Sequence, residues 1–376
     1  MKKSFYYLTL WLMLLSINVV AQRHLYNVNR IDLLDDMTYY KRRQIIRLPS
    51  VNGLVSLKCD FHTHTVFSDG DLWPSARVEE AWRDGLDAIA ITDHKPSAPQ
   101  MNHVKGDANS AYKLALGEAE RSGLMVIQGT EIGHSKEGGG HINAIFITDA
   151  TKTVDVPMEV AVKEAVKQGG YIIWNHPGWD IDSCIMFDVN KRLIDAGLIH
   201  AVEVFCDAEW YPRALRWCRD FNLAPLADTD IHDFTHSMYG LSRNAVFRPM
   251  TIVLAREKTQ DALKEALFKR NTIAFFHGML AGDSRLLADF FFASISVKKV
   301  KTLTDSNRKT QNYYVFCNPY DVPYVLLLEN GKKMTLLANS ETSLSLPGEI
   351  KAIKANILNL HTYEFETLEV TVQFPE

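Results

Sequence analysis

Two histidines one residue apart, His62 and His64, stand in the run Asp60-Phe61-His62-Thr63-His64-Thr65. In an extended segment alternate side chains share a face, so this spacing presents both imidazoles to one side, where they can share an ion. Further along the chain come Ser68-Asp69-Gly70, Asp93-His94, Glu131, Gly140-His141, Asn175-His176-Pro177 and Asp228-Thr229-Asp230-Ile231-His232. Each alone has an ordinary explanation: an Asp-His pair caps a helix, and a lone glutamate pairs with a lysine. Taken together they supply six histidines and the carboxylates of Asp69, Glu131 and Asp230, more than a single zinc ion or one catalytic base requires. Imidazole nitrogen with carboxylate oxygen suits zinc, iron and manganese alike.

The elements that must position these groups are short apolar runs. Leu57–Phe61, Ala88–Thr92, Met125–Gly129, Asn143–Ile147, Tyr171–Trp174, Ala201–Phe205 and Leu223–Ala227 read as strands, and nearly every motif falls at the end of one. Amphipathic helical stretches lie between them. One opens at Pro74 and stops at Gly85, another opens at Pro157, and a third is capped by Thr259. About seven such βα units predict an α/β barrel, and a barrel gathers strand-end residues on one face, where active sites are built. Asp93, Glu203 and Asp228 are then candidates to orient the imidazoles from behind. His134, Trp179 and Arg243 are candidates to touch substrate. After about residue 290 the pattern becomes short alternating segments separated by turns such as Asn318-Pro319 and Glu329-Asn330-Gly331. It predicts a small C-terminal antiparallel β-sandwich, residues 291–376, that packs or attaches the first domain, 22–290, and carries no metal-ligand spacing.

The motif set resembles the PHP (polymerase and histidinol phosphatase) family. The resemblance covers roughly residues 55 to 280 and includes the family's four motifs in order. It implies a distorted seven-stranded (β/α) barrel holding two to three divalent ions. By the same resemblance the ligands are His62, His64, Asp69, His94, Glu131, His141, His176, Asp230 and His232, with Glu131 bridging. Glu131, Asp230 and His232 are the positions expected nearest the chemistry. No ligand position is missing, which implies an active enzyme. The implied reaction is hydrolysis of a small phosphate monoester or diester by a metal-activated water at a di- or trinuclear site.

Charge and composition narrow the substrate. The 376 residues carry a formal charge of −4, and 47% hydrophobic with 23% charged residues is the balance of a folded protein. No basic stripe or aromatic-basic run marks a nucleic-acid track, so a nuclease is the weaker alternative. Lys95, Lys105 and Lys136 are scattered singly. A module that captures anions on metals without turnover is disfavoured by the full ligand set. A metal amidohydrolase lacks a placeable carboxylated lysine. Lys2-Lys3, the apolar run Phe5–Val20 and Val19-Val20-Ala21-Gln22 predict a signal peptide, residues 1–21, and an exported, periplasmic or secreted protein. Its removal takes the charge from −4 to −6. The five cysteines show no CxxC spacing and read as buried thiols.

Overall fold

A computed structural model describes residues 43–94, 102–133, 138–179, 181, 183–239 and 247–376. The expected leader, 1–21, lies outside the described residues, as do His134, Arg243, Lys95 and Lys136.

Runs of Val, Ile and Ala that are apolar at every position make strands buried on both faces. Val55–Asp60 (β1), Ala88–Ile91 (β2) and Met125–Ile132 (β3) run parallel, with Cys59 level with Ala88 and Ala88 with Met125. Ile142–Ile145 (β4) runs the opposite way, antiparallel both to β3 and to Tyr171–Trp174 (β5). Ala201–Cys206 (β6) is parallel to β5, the two-residue strand Glu209–Trp210 (β7) turns back on it, and Ala224–Asp228 (β8) pairs with β6 in parallel. Met250–Ala255 (β9) lies antiparallel to β1, followed outward by Thr272–Phe276 (β10) and Met279–Gly282 (β11).

This is an α/β fold on a central, mostly parallel sheet, and it differs from seven repeated βα units in two respects. The fourth strand is reversed. An antiparallel neighbour needs only a short connection, and among the described residues no crossover helix separates β3 from β4. The ladder is also not closed by strand pairing: among the described residues no ladder joins β8 to β9. Thr251 bridges that seam instead, its hydroxyl accepting from Ala227 N–H at 3.0 Å.

Eight helices connect the strands: Pro74–Arg83 (α1), Ser110–Ser122 (α2), Met158–Lys167 (α3), Asp188–Asp195 (α4), Pro212–Asp220 (α5), Thr235–Tyr239 (α6), Gln260–Phe268 (α7) and Ser284–Ser294 (α8), counted among the described residues. Pro74 occupies the first turn of α1, where its missing N–H costs nothing. Thr259 caps α7 by accepting from Ala262 N–H. No helix of the described residues is long and apolar enough to cross a membrane. All five cysteines are free thiols, four of them buried.

The C-terminal strands are antiparallel, as their alternation predicts. Ser296–Thr304 (β12), Thr310–Asn318 (β13) and a later strand, Ser340–Pro347 (β16), form one three-stranded sheet. Tyr324–Leu328 (β14), Lys333–Leu336 (β15), Ala352–His361 (β17) and Thr367–Gln373 (β18) form another. This second group joins the main sheet, because β17 pairs in parallel with β11 at Leu280 and Leu360. Position 290/291 falls inside α8, whose Leu287, Phe290 and Phe291 share one buried cluster with Ile273, Tyr314, Phe316 and Ile357.

Candidate metal centre

Strand β1 stops at Asp60, and beyond it Thr63 makes an isolated parallel bridge with Ile231; His62 and His64, on either side of Thr63, are both fully buried and enter the same cluster. Asp60 holds this stop in place. One of its oxygens accepts from His62 N–H (3.1 Å) and Thr229 N–H (3.2 Å), and the other pairs with the buried Arg248 guanidinium. The following loop folds back tightly enough that a methyl group on Gly70 would stand 2.7 Å from the His64 carbonyl carbon. His94 follows β2, Glu131 lies near the end of β3, His176 follows β5, and Asp230 and His232 follow β8. His141 precedes β4. Because β4 is reversed, its start lies at the same rim as the ends of its neighbours.

The nine residues meet in one cluster. Glu131 is its hub: a carboxylate oxygen lies 3.2 Å from His62 Nε2, 3.2 Å from His64 Nε2, 3.1 Å from His94 Nε2, 3.0 Å from His141 Nδ1 and 3.4 Å from His176 Nε2. Asp230 Oδ1 lies 3.0 Å from His62 Nε2 and 2.9 Å from His64 Nε2. Asp69 closes the outer side, 3.1 Å from His232 Nε2 and 4.0 Å from His94 Nε2. Two of the nine, His176 (φ 25°) and Asp230 (φ 51°), adopt left-handed backbone, which an L-residue enters at some cost and which gathers at functional sites.

Whether these donors fit a metal can be judged from their hydrogen bonds. His62 Nε2, His64 Nε2, Glu131 Oε2 and Asp230 Oδ1 are buried and make none, although they sit about 3 Å from one another. Buried polar atoms are normally satisfied, and lone pairs converging on a common point are what a cation coordinates. The other ring nitrogen of His62 is engaged by Glu203 at 2.8 Å, and that of His232 by the Asp230 carbonyl at 2.7 Å. Those contacts place the Nδ1 protons and turn each Nε2 lone pair toward the cluster. The residues therefore fit divalent ions, grouped as His62–His64–Glu131–Asp230, His64–Asp69–His94–His232 and His94–Glu131–His141.

The electrostatics without ions point the same way. Burial opposes charge on His62 and His64. The Asp230 and Glu131 carboxylates outweigh it, holding His62 well above its ordinary value and raising His64 to about 10. Burial likewise opposes ionised Glu131 and Asp230, but His62 and its neighbouring imidazoles hold both carboxyls well below their ordinary range. His94 goes the other way, down to about 4, through burial and the adjacent His64 and His141. Imidazolium protons here occupy the place of cations.

The supporting residues divide. Glu203 takes the expected position behind the imidazoles, with its second oxygen accepting from His176 N–H at 2.6 Å. Asp228, expected to orient imidazoles, instead braces the backbone, whereas Asp93 reaches the His64 ring through Ser68, whose hydroxyl lies 3.1 Å from His64 Nδ1. Asp93 accepts from Thr65 N–H (2.7 Å) and Ser68 Oγ–H (2.6 Å), and Asp228 accepts from Phe61 N–H (3.0 Å). Trp179 stands at the mouth, 55% exposed, with its ring 6.1 Å from that of His141 and 5.6 Å from that of His176. With Asp207, Asp233 and Met238 it lines a cavity of about 570 Å³ that opens onto the cluster. Sequence reading missed Asn175, whose side-chain amide donates to Glu131 at 2.8 Å, and the buried arginines Arg77 and Arg248. Asn175 stands within the Asn175-His176-Pro177 motif, but its type and position alone assign its amide no partner. The arginines carried no spacing signal, because their partners are distant in the chain.

Comparison with known proteins agrees with this geometry. The PHP domain family model matches residues 60–224. A two-domain protein of Bacteroides vulgatus, containing a predicted PHP-like metal-dependent phosphoesterase, shares 33% sequence identity with a TM-score of 0.83. The alignment covers 89% of this chain and 99% of that one. An uncharacterized protein of Methanocaldococcus jannaschii is 36% identical over 78 residues, which make up 21% of this chain and only 34% of that protein's length. With a relative of that identity matched along nearly all of its length, the chain belongs to the PHP family.

Proposed function

We propose that this protein hydrolyses small phosphate esters, with two or three ions of zinc, manganese or iron held by the nine-residue cluster. The observation that carries the reading is the set of buried, unsatisfied donor atoms of His62, His64, Glu131 and Asp230 facing one another. When bound, such ions acidify water and neutralise the ester's non-bridging oxygens. The chain's own groups do the rest. Asp69, Glu131 and Asp230 cancel only part of the positive charge that two or three divalent ions bring, so the loaded rim is cationic and attracts an anionic ester. Glu203 and the Asp230 carbonyl fix the imidazole tautomers and keep each Nε2 directed inward. Trp179 and Met238 offer an apolar wall to the alcohol part of the substrate. His134, Arg243, Trp179 and the half-buried His232 are the residues proposed to meet the ester itself.

Small substrates are favoured over polynucleotides on charge and size. The chain is acidic overall, and Asp207 and Asp233 add negative charge at the mouth, so a long polyanion is repelled away from the metal rim. The cavity of about 570 Å³ suits a small ligand. We further propose that the protein works outside the cytoplasm, on the strength of its N-terminal sequence. The test is elemental analysis of the purified protein, then a screen of chromogenic phosphate mono- and diesters with DNA and RNA as competitors. Two or three equivalents of metal and metal-dependent release of chromophore are expected. Less than one equivalent after metal-replete growth sinks the polynuclear reading. Degradation of a polynucleotide, together with its inhibition of ester cleavage, replaces the small ester by nucleic acid.

A further inference from the structure

Helix α1 turns a polar stripe inward. Arg77 and Glu80 lie on one face of it, with Asp84 just past its end. The Arg77 side chain is fully buried, and all five of its N–H donors are committed. Nε donates to the His64 carbonyl (3.1 Å). Nη1 donates to the Asp233 carbonyl (3.0 Å) and to Glu80 Oε2 (2.5 Å). Nη2 donates to the carbonyls of Ile231 (3.2 Å) and His232 (3.0 Å). The accepting carbonyls belong to two separate segments, one following β1 and one following β8, and each carries ligands of the cluster. Glu80 and Asp84 extend the grip by accepting from Thr235 N–H (2.8 Å) and Oγ–H (2.7 Å). The Asp69 loop docks on the same place, with Asp71 N–H donating to the His232 carbonyl at 2.9 Å. Between the gripped segments the rings of His64 and His232 stack at 4.2 Å and 10°.

A buried arginine joining two segments is often only a structural staple. What distinguishes this one is the subset of donors it reaches. Its bonds hold the backbone of His64 and His232, which with Asp69 and His94 form one ligand group; His64 is shared with the His62–Glu131–Asp230 group, whereas the His94–Glu131–His141 group contains neither gripped histidine. Glu131, His141 and His176 are carried by β3, the start of β4 and the end of β5, which the five bonds of Arg77 do not touch.

We propose that Arg77 is the positioning residue for the ion held by His64, Asp69, His94 and His232, and that its loss releases this ion while leaving an ion on His94, Glu131 and His141 in place; the proposal rests on the cluster being a metal centre. The full-length wild type, Arg77→Met and Arg77→Lys are stripped with a chelator and titrated with cobalt(II). Visible absorption follows binding, and elemental analysis counts the bound metal. Arg77→Met is expected to melt cooperatively and to bind one class of cobalt roughly 10–100-fold more weakly, with the His94–Glu131–His141 site, which Arg77 does not reach, unchanged. Arg77→Lys keeps the charge but not the planar five-donor fork, so it recovers only part of the lost affinity. If Arg77→Met does not fold, the lysine variant is judged by the same criterion. A wild type that loads normally, with variants that weaken every class of site equally or none, overturns the proposal alone. A wild type that takes up less than one equivalent overturns the metal centre and this proposal with it.

Discussion

Five imidazoles approach the Glu131 carboxylate to within 3.0–3.4 Å, so neutralising that one side chain tests the whole cluster. Glu131→Gln is expected to lower kcat/KM by at least about 100-fold and to weaken metal binding. In the metal-free protein it also leaves buried imidazoliums without their counter-charge, a loss on the order of 3–5 kcal/mol that calorimetric melting would detect. Near wild-type activity in that variant removes Glu131 from its bridging role. The pH behaviour follows from the same charges. His64, raised to about 10, adds stability to the metal-free protein that is complete below its ordinary value of 6.5 and fades as pH climbs toward 10. Glu131 and Asp230, held low, contribute above their ordinary values and lose that contribution as the solution is acidified. At neutral pH an incoming ion must therefore expel imidazolium protons. Apparent metal affinity should rise steeply from pH 6 upward, and titration calorimetry in buffers of different ionisation enthalpy should show proton release on binding. Binding that neither releases protons nor changes with pH contradicts these charge states. All nine cluster residues could be found in the sequence because strand ends converge and the histidine spacings are short. The roles of Arg77 and Arg248 could not, since hydrogen bonds between residues over a hundred positions apart leave no local pattern, nor could that of Asn175, whose partner Glu131 lies 44 positions away.

At the scale of elements, the loop from Thr65 to Gly70 couples a turn to a ligand. Its Gly70 N–H donates to the Thr65 carbonyl at 3.1 Å, and only a hydrogen fits where the α-carbon faces His64. Gly70→Ala should push the His64 backbone by a few tenths of an ångström or more. Metal affinity should fall about tenfold or more, with a smaller loss of melting temperature. Unchanged affinity in the alanine variant means that the loop gives way without moving the ligand. Helix positions were readable because Pro74, Pro157 and Thr259 mark helix starts chemically. Strand direction was not. Ile142–Ile145 is buried at every position whichever way it runs, and its reversal is set by pairing with β3 and β5. The runs Met250–Ala255 and Thr272–Phe276 went unassigned for a related reason: when every position is buried, period-two alternation disappears.

At the scale of the whole molecule, a chain cut at Ala293 probes how far the two halves depend on each other. The change from βα units to alternating strands was legible near residue 290, but the continuity of the sheet through β11 and β17 was not, because a pairing between Leu280 and Leu360 has no sequence signature. Truncation strips the cover from Leu287, Phe290 and Phe291, and each buried side chain of that size contributes about 1.5–3 kcal/mol. The shortened chain should thus aggregate or melt at a markedly lower temperature, whereas the intact protein should show one transition by both tryptophan fluorescence and circular dichroism. A truncated chain that stays soluble with its full complement of metal makes the C-terminal strands an appendage. The outermost pairing of β1 bears on time rather than stability. Val55 lies opposite Ala255, about two hundred residues later, so β1, the earliest strand among the described residues, waits with an open edge until β9 is made. Folding should then be slow and post-translational, with the chain dependent on chaperones for as long as that edge stays unpaired.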